Sequence, residues 1–181
     1  MKNVEVRLVA ELLKNCNRSD RELAKVLGVS QPTVSRIRRQ LEKNGVIREY
    51  TIIPEFEKLG FGLLGLTFVK LRASLHTEEI QDARRTAMEE AQEGRFGSVM
   101  LERGIGLGYD GVIVSLYKTY SDFHQHREAI KNFPFIDASK IDAFIIDLHD
   151  KIRYRPLSFH HIIKQLTTQM QEQEKRDISA C

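Results

Sequence analysis

Apolar residues recur every three or four positions through the first quarter of the chain, the spacing that lines one side of a helix. The first run extends from Val4 to Asn15. A second follows Ser19 and stops at Gly28, and a third follows Ser30. This part of the chain is therefore predicted to form three short amphipathic helices.

Residues suited to helix ends flank the second and third runs. Ser19 and Glu22 have the spacing of a capping box, in which each side chain bonds the other residue's backbone amide. Gly28 suits the end of the second helix, and Ser30 followed by Pro32 suits the start of the third. Two capped helices joined by a short glycine-containing turn predict a helix-turn-helix.

The third helix has two chemically different sides when its residues are placed at about 100° intervals. Val34, Ile37 and Leu41 fall together and are expected to face the other helices. The opposite side carries arginine and lysine beside small polar groups, which suits a DNA major groove. Arg38 lies nearer the packed side and is expected to contact backbone or an acidic neighbour. The predicted DNA contacts are Ser30, Gln31, Pro32, Thr33, Ser35, Arg36, Arg39, Gln40, Lys43 and Arg48.

An extended segment follows the third helix. Val46 and Ile47, then the alternating Tyr50 and Ile52, predict two short strands that form a wing.

From residue 62 the pattern changes to strand, helix, strand, strand, helix, strand, the βαββαβ order of a ferredoxin-like domain. A last helical stripe comprises Phe159, Ile162, Ile163, Leu166 and Met170. The fold class is thus α+β: an N-terminal winged helix-turn-helix at 1–60, a ferredoxin-like domain at 61–150, and a C-terminal helix and tail at 151–181.

The predicted sheet is apolar on both sides, as in Leu64, Leu66 and Phe68 against Leu63 and Val69. An antiparallel sheet with helices on one face should be polar on the other. Burial of the second face against an identical molecule predicts a homodimer, and coverage by the C-terminal helical stripe is the alternative.

Charge favours DNA as the partner of the N-terminal third. Residues 1–60 hold 12 Lys and Arg against 8 Asp and Glu, whereas residues 61–181 hold 16 against 17. A charged helix face is often only solvated, but the helix-turn-helix before it favours binding to a polyanion.

Other classes of protein are excluded or disfavoured. Cys16 and Cys181 lie at opposite ends of the sequence, so neither a disulfide framework nor a CxxC metal site is expected. Glu5 and Arg7 interrupt the first apolar stretch, which excludes a signal peptide, and the apolar run at 61–69 is too short to span a membrane. A cytoplasmic protein without a cofactor is expected.

Residues 20 to 60 resemble the DNA-binding half of the Lrp/AsnC transcription factors. The likeness rests on the LGVS turn, the S-x-P-T-V-S-R start of the third helix, the R-x-L-E-x-x-G-V-I exit and the Y-T of the wing. It continues more loosely to about residue 149, including G-x-G-Y-D at 106–110.

The resemblance implies a prokaryotic regulator that dimerises through its second domain, with tetramers and octamers as further assemblies. It also implies a small-molecule effector site for an amino acid, lined by Gly106, Gly108 and Asp110, in which Asp110 would receive the α-ammonium. A β-hairpin that needs positive φ explains the two glycines equally well.

Two other functions remain open. Some relatives of this two-domain plan resemble sirohaem decarboxylases, but His124 diverges from His126, and His160 from His161, which disfavours a tetrapyrrole enzyme or a metal site. The second is a non-specific architectural DNA-binding protein, which differs from a specific regulator only in the ratio of its affinities for specific and non-specific DNA. The expectation is a regulator and not an enzyme.

Overall fold

The computed structural model describes residues 3–72, 77–92, 97–152 and 157–179. The chain forms two compact units, one of residues 1–53 together with 154–181 and the other of residues 54–153. Most of the segment expected as a separate C-terminal extension thus belongs to the N-terminal unit.

Three helices build the centre of the first unit: α1 (Asn3–Lys14), α2 (Asp20–Leu27) and α3 (Gln31–Lys43). Their apolar sides enclose one core, because the residues at helical spacing point to a common interior. The buried members are Leu8, Leu12, Leu23, Ala24, Leu27, Val34, Ile37 and Leu41.

The turn between α2 and α3 has the caps that the sequence predicted. Ser19 accepts from the Glu22 amide, and the Glu22 carboxylate accepts from the Ser19 amide at 2.8 Å. Gly28 ends α2 at φ 69° and donates to the Ala24 carbonyl, and Ser30 begins α3 by accepting from the Thr33 amide. The helix-turn-helix is therefore confirmed.

The prediction of two wing strands is wrong. Every residue between α3 and the sheet is described, and none of them is in a strand. The amides of Val46 and Ile47 instead bond the Leu41 carbonyl, and Ile47 packs on the three-helix core. Ile52 is 77% exposed. Two short strands without a third are marginally stable, so the wing is an extended arm held by individual contacts.

The second unit confirms the ferredoxin-like plan. Its elements are β1 (Leu63–Leu71), α4 (Thr77–Gln92), β2 (Ser98–Gly106), β3 (Tyr109–Tyr117), α5 (Tyr120–Lys131) and β4 (Ile136–Asp147). The strands pair antiparallel in the order β2-β3-β1-β4. A short 3-10 turn, Phe56–Leu59, precedes the sheet.

One face of the sheet is covered by α5. Val69 and Ile141, paired across β1 and β4, enclose a small core with Ile130 of α5. Gly65 lies on the same face, where a Cβ would come within 2.9 Å of the Tyr117 ring. Any residue with a Cβ at position 65 would therefore clash with the Tyr117 ring.

The other face, which we call the open face, is apolar. Leu66 pairs with Val114 on one side and Phe144 on the other, so these three side chains lie together. Phe144 is 63% exposed and Ile146 39% exposed. The open face comprises Leu64, Leu66, Phe68, Val112, Val114, Phe144 and Ile146.

The C-terminal helix, α6 (His160–Ser179), packs on α1. Ile163 and Ala10 are 7% and 1% exposed, although neither belongs to the three-helix core. Of the stripe that the sequence offered as an alternative cover for the sheet, Ile163 is thus buried against α1 instead, which corrects that interpretation, whereas Phe159 and Ile162 are 39% and 46% exposed. The Met170 side chain lies outside the described residues.

Replacing Ile163 by Asp should detach α6 and leave the rest of the first unit folded. An unpaired carboxylate is costly to bury, whereas the three-helix core encloses itself without Ile163. Hydrogen exchange followed by mass spectrometry should show lost protection in α6 and retained protection in α3. Ile162→Asp, at a 46% exposed position, is the matched control, and loss of protection in α3 would contradict the expectation.

Candidate nucleic-acid interface

The candidate recognition surface is the outward side of α3. Val34, Ile37 and Leu41 are buried on the inward side. The exposed residues opposite them are Pro32, Arg36, Arg39, Gln40 and Lys43. The predicted division of the helix into a packed and a charged side is therefore present in the structure.

The arginines of this surface keep their charge uncompensated. Among the described residues, Arg36 and Lys43 make no hydrogen bond or ion pair. Arg39 donates from Nε to the Ser35 carbonyl at 3.4 Å, a contact that does not neutralise it. Unpaired guanidinium groups on an exposed helix are available to phosphates or guanine edges.

The N-terminal residues of α3 are partly engaged in starting the helix. The Ser30 and Thr33 hydroxyls lie 2.8 Å apart, and the Thr33 amide donates to Ser30 Oγ. Gln31 is exposed, and Ser35 is half-buried. Ser30 and Thr33 thus have a capping role, in addition to the DNA contacts that the sequence predicts for them.

Arg38 holds α3 against α2, as its position on the helix indicated. Its guanidinium forms an ion pair with Asp20 at 2.7 Å and donates to the Arg18 carbonyl at 3.3 Å. The guanidinium also lies 5.6 Å from the centre of the Tyr50 ring. Arg38 is therefore a structural member of the unit and not part of the outward stripe.

The wing brings Arg48 and Tyr50 into the same unit. Arg48 is exposed, and the described residues provide it with no hydrogen bond or ion pair. The Tyr50 hydroxyl donates to Glu42 Oε1 of α3 at 2.7 Å. Sequence reasoning placed Tyr50 in a strand and missed this contact. The only signal in the sequence was the presence of Tyr50 in the Y-T motif.

The second predicted site lies on the β2–β3 hairpin. Gly106 and Gly108 have φ of 150° and 81°, and Leu107 between them has φ 54°. The hairpin requirement for positive φ thus accounts for both glycines. Ile105 and Leu107 project from the tip at 107% and 85% exposure.

Asp110 ties the ends of two strands together. One carboxylate oxygen lies 2.9 Å from Lys70 Nζ, and the other accepts from the Leu71 amide at 2.9 Å. Partial burial opposes ionisation, but Lys70 and the Leu71 amide outweigh it and hold the pKa of the Asp110 carboxyl below its usual range. The Lys70 ammonium occupies the position that the sequence interpretation gave to an effector.

The two histidine pairs that the sequence analysis considered lie on α5 and at the start of α6. His126 is buried against Tyr117, whereas His124 is exposed on the same helix. His160 and His161 are both exposed at the start of α6. Within the described ranges, no three His, Cys, Asp or Glu side chains form a potential metal site, and no helix there has the length and apolarity needed to cross a bilayer.

Comparison with known proteins identifies the class of protein first. A family model described as winged helix-turn-helix DNA-binding matches residues 1–48. The HTH-type transcriptional regulator PF2053 of Pyrococcus furiosus is 36% identical over 74 residues, which are 41% of this chain and 49% of that protein. PH0061 of Pyrococcus horikoshii, also named an HTH-type transcriptional regulator, is 30% identical over 101 residues, 54% of this chain and 68% of that protein.

Solved structures match both units. The crystal structure of PH0061 has a TM-score of 0.69 at 23% identity, with 87% of this chain and 97% of that one covered. An AsnC family regulator from Agrobacterium tumefaciens gives 0.68 at 16% identity over 89% and 99%. The Neisseria meningitidis regulator NMB0573, in complex with L-Met, gives 0.67 at 16% identity over 90% and 99%.

The chain belongs to the Lrp/AsnC family of HTH-type transcriptional regulators. The segment that matches PF2053 spans about half the length of that protein.

Proposed function

We propose that the protein is a sequence-specific regulator of transcription that binds double-stranded DNA in the cytoplasm as a homodimer, with α3 in the major groove. The supporting observation is the exposed stripe of Arg36, Arg39 and Lys43 on the second helix of a capped helix-turn-helix. Arg48 on the wing adds a cation for the DNA backbone.

The open face supports the homodimer. Its side chains would remain partly in water on a single chain, and burial of apolar area contributes about 25 cal/mol per Å². A two-fold axis would place each open face on its copy. Two α3 helices would then meet half-sites about 34 Å apart on a pseudo-palindrome. Tetramers and octamers are further assemblies of such dimers.

An amino-acid-like effector is the second part of the proposal. NMB0573, which shares the fold, is a complex with L-Met. In this chain Gly106 and Gly108 leave backbone accessible at the hairpin tip, where neither would have a Cβ neighbour within 4 Å. Asp110 is already bonded to Lys70, so an effector ammonium would have to replace that cation.

Selection of bound fragments from random-sequence DNA tests the proposed function. The best fragment should show two-fold symmetry and exceed a scrambled fragment by at least about 10³ in affinity at the same salt concentration. Weak binding that is indifferent to sequence would favour an architectural protein. No binding would overturn the proposal and direct attention to tetrapyrrole binding.

Arg36→Ala and Arg39→Ala should each weaken binding to the selected fragment by about 1–3 kcal/mol, if each arginine forms a bidentate contact to guanine. The expected loss follows from their exposure and uncompensated charge. Titration at fixed salt measures it. Arg85→Ala, which removes the same charge from a 70% exposed position on α4, is the control and should leave affinity unchanged. An unchanged affinity in both α3 variants would contradict the groove assignment.

A further inference from the structure

The wing of this protein needs another source of order because its residues form no strand. Its first anchor is Ile47, which packs on the three-helix core. Its second is Tyr50, whose hydroxyl donates to Glu42 at 2.7 Å and whose ring lies under the Arg38 guanidinium at 5.6 Å. Cys16 Sγ adds a weak bond to the Thr51 carbonyl at 3.4 Å.

The surface that receives Tyr50 is itself fixed. Arg38 is held by Asp20 at 2.7 Å and by the Arg18 carbonyl at 3.3 Å, so its guanidinium is a firm platform for the ring. Burial and the Glu42 carboxylate together raise the pKa of the Tyr50 phenol above its usual range. The phenol therefore keeps its proton and remains a donor to Glu42 at neutral pH.

The two anchors confine Arg48 to a small region. Only Arg48 and Glu49 lie between Ile47 and Tyr50, and this span of three residues reaches at most about 10 Å. Without a ladder of backbone hydrogen bonds, removal of either anchor would free the segment over many conformations.

The confined region lies next to the DNA-binding stripe. At about 100° per residue, Arg38 and Glu42 fall on the flank of α3 between its buried side and Arg39. Because Tyr50 contacts both flank residues, the wing runs along the border of the stripe. Arg48 is exposed there and has no partner among the described residues.

We propose that Tyr50 is a positioning residue for DNA binding: held between Arg38 and Glu42, it fixes the wing so that Arg48 meets a backbone phosphate beside the groove that α3 occupies. The inference rests on the proposed function and adds to it a specific role for a residue that need not touch DNA. Because the wing is already ordered, the Arg48 guanidinium can contact the phosphate without a further loss of conformational entropy on binding.

The test is a double-mutant cycle read by salt dependence. The affinity of the full-length protein for its selected fragment is measured from about 50 to 200 mM salt, where each phosphate contact contributes about 0.9 to the slope of log K against log salt. Arg48→Ala should lower that slope by about 1. Tyr50→Ala should lower it by the same amount, and the double variant should lose no more than either single variant.

Two results would overturn the proposal. An unchanged slope in Arg48→Ala would show that Arg48 does not contact a phosphate. Additive losses in the double variant would show that Tyr50 acts independently of Arg48. Thermal unfolding verifies that each variant is folded, and Tyr50→Leu replaces Tyr50→Ala if the latter is not. Failure of the proposed function is distinguishable, because the wild-type protein would then not discriminate the selected fragment from a scrambled one.

Discussion

Phe144→Glu should convert the proposed homodimer into a monomer without unfolding the chain. Phe144 is 63% exposed on a single chain, so the substitution costs little in the isolated fold. In the proposed dimer the open face is covered by its copy, so a carboxylate at this position would be buried without a partner and would oppose association. Sedimentation or light scattering at several concentrations measures the change.

The loss of the dimer should weaken operator binding by about 10²–10⁴, because a second half-site adds affinity only when the two DNA-binding units are linked. Ile105→Glu is the matched control, since it introduces the same charge at a fully exposed apolar residue outside the open face. A dimer that persists in Phe144→Glu would show that the open face is not the interface.

Acid should destabilise the second unit well above the pH at which carboxylates protonate. His126 is 7% exposed, and its Nδ1 lies 2.7 Å from the Tyr117 hydroxyl. Burial lowers the pKa of the imidazole from 6.5 to about 4. Between these values the unfolded chain binds a proton that the folded chain does not, so the free energy of unfolding falls as the pH is lowered through this window.

The full loss from His126 is about 3.5 kcal/mol at about 1.4 kcal/mol per pKa unit, and about 2 kcal/mol of it is expected between pH 7.5 and 5. Stability is full above pH 6.5 and declines towards pH 4. Groups such as Asp110, with an ordinary pKa of 3.8 that the fold lowers further, contribute only at lower pH. Denaturant unfolding at pH 7.5 and 5 measures the difference, and His126→Gln should flatten it. An equal pH dependence in the wild-type protein and in His126→Gln would show that a group other than His126 causes the loss of stability.

The helix-turn-helix could be predicted because its determinants are local. The Ser19 and Glu22 cap, the end of α2 at Gly28 and the two sides of α3 each depend on residues within one or two turns. Arg38 could be assigned for the same reason, since its angle on the helix alone directed it to the packed flank. Local spacing was therefore sufficient for the part of the site that α3 supplies.

The rest of the candidate site depends on contacts between distant positions. Alternating apolar residues describe a strand and an extended arm equally well, so the wing could not be recognised from Tyr50 and Ile52. The sequence presents Asp110 as an available carboxylate, whereas the fold supplies Lys70 from another strand. An amphipathic stripe indicates that α6 is buried, but it does not identify α1 as the partner.

The packing of α6 on α1 makes the order of synthesis matter for the first unit. About 150 residues separate Ala10 from Ile163, and the whole second unit is made between them. Domains fold as the chain emerges from the ribosome, N-terminal parts first, so the three-helix core is complete before α6 exists. Until then the nascent protein presents the Ala10 surface of α1 to chaperones, which could bind it before its own last helix does.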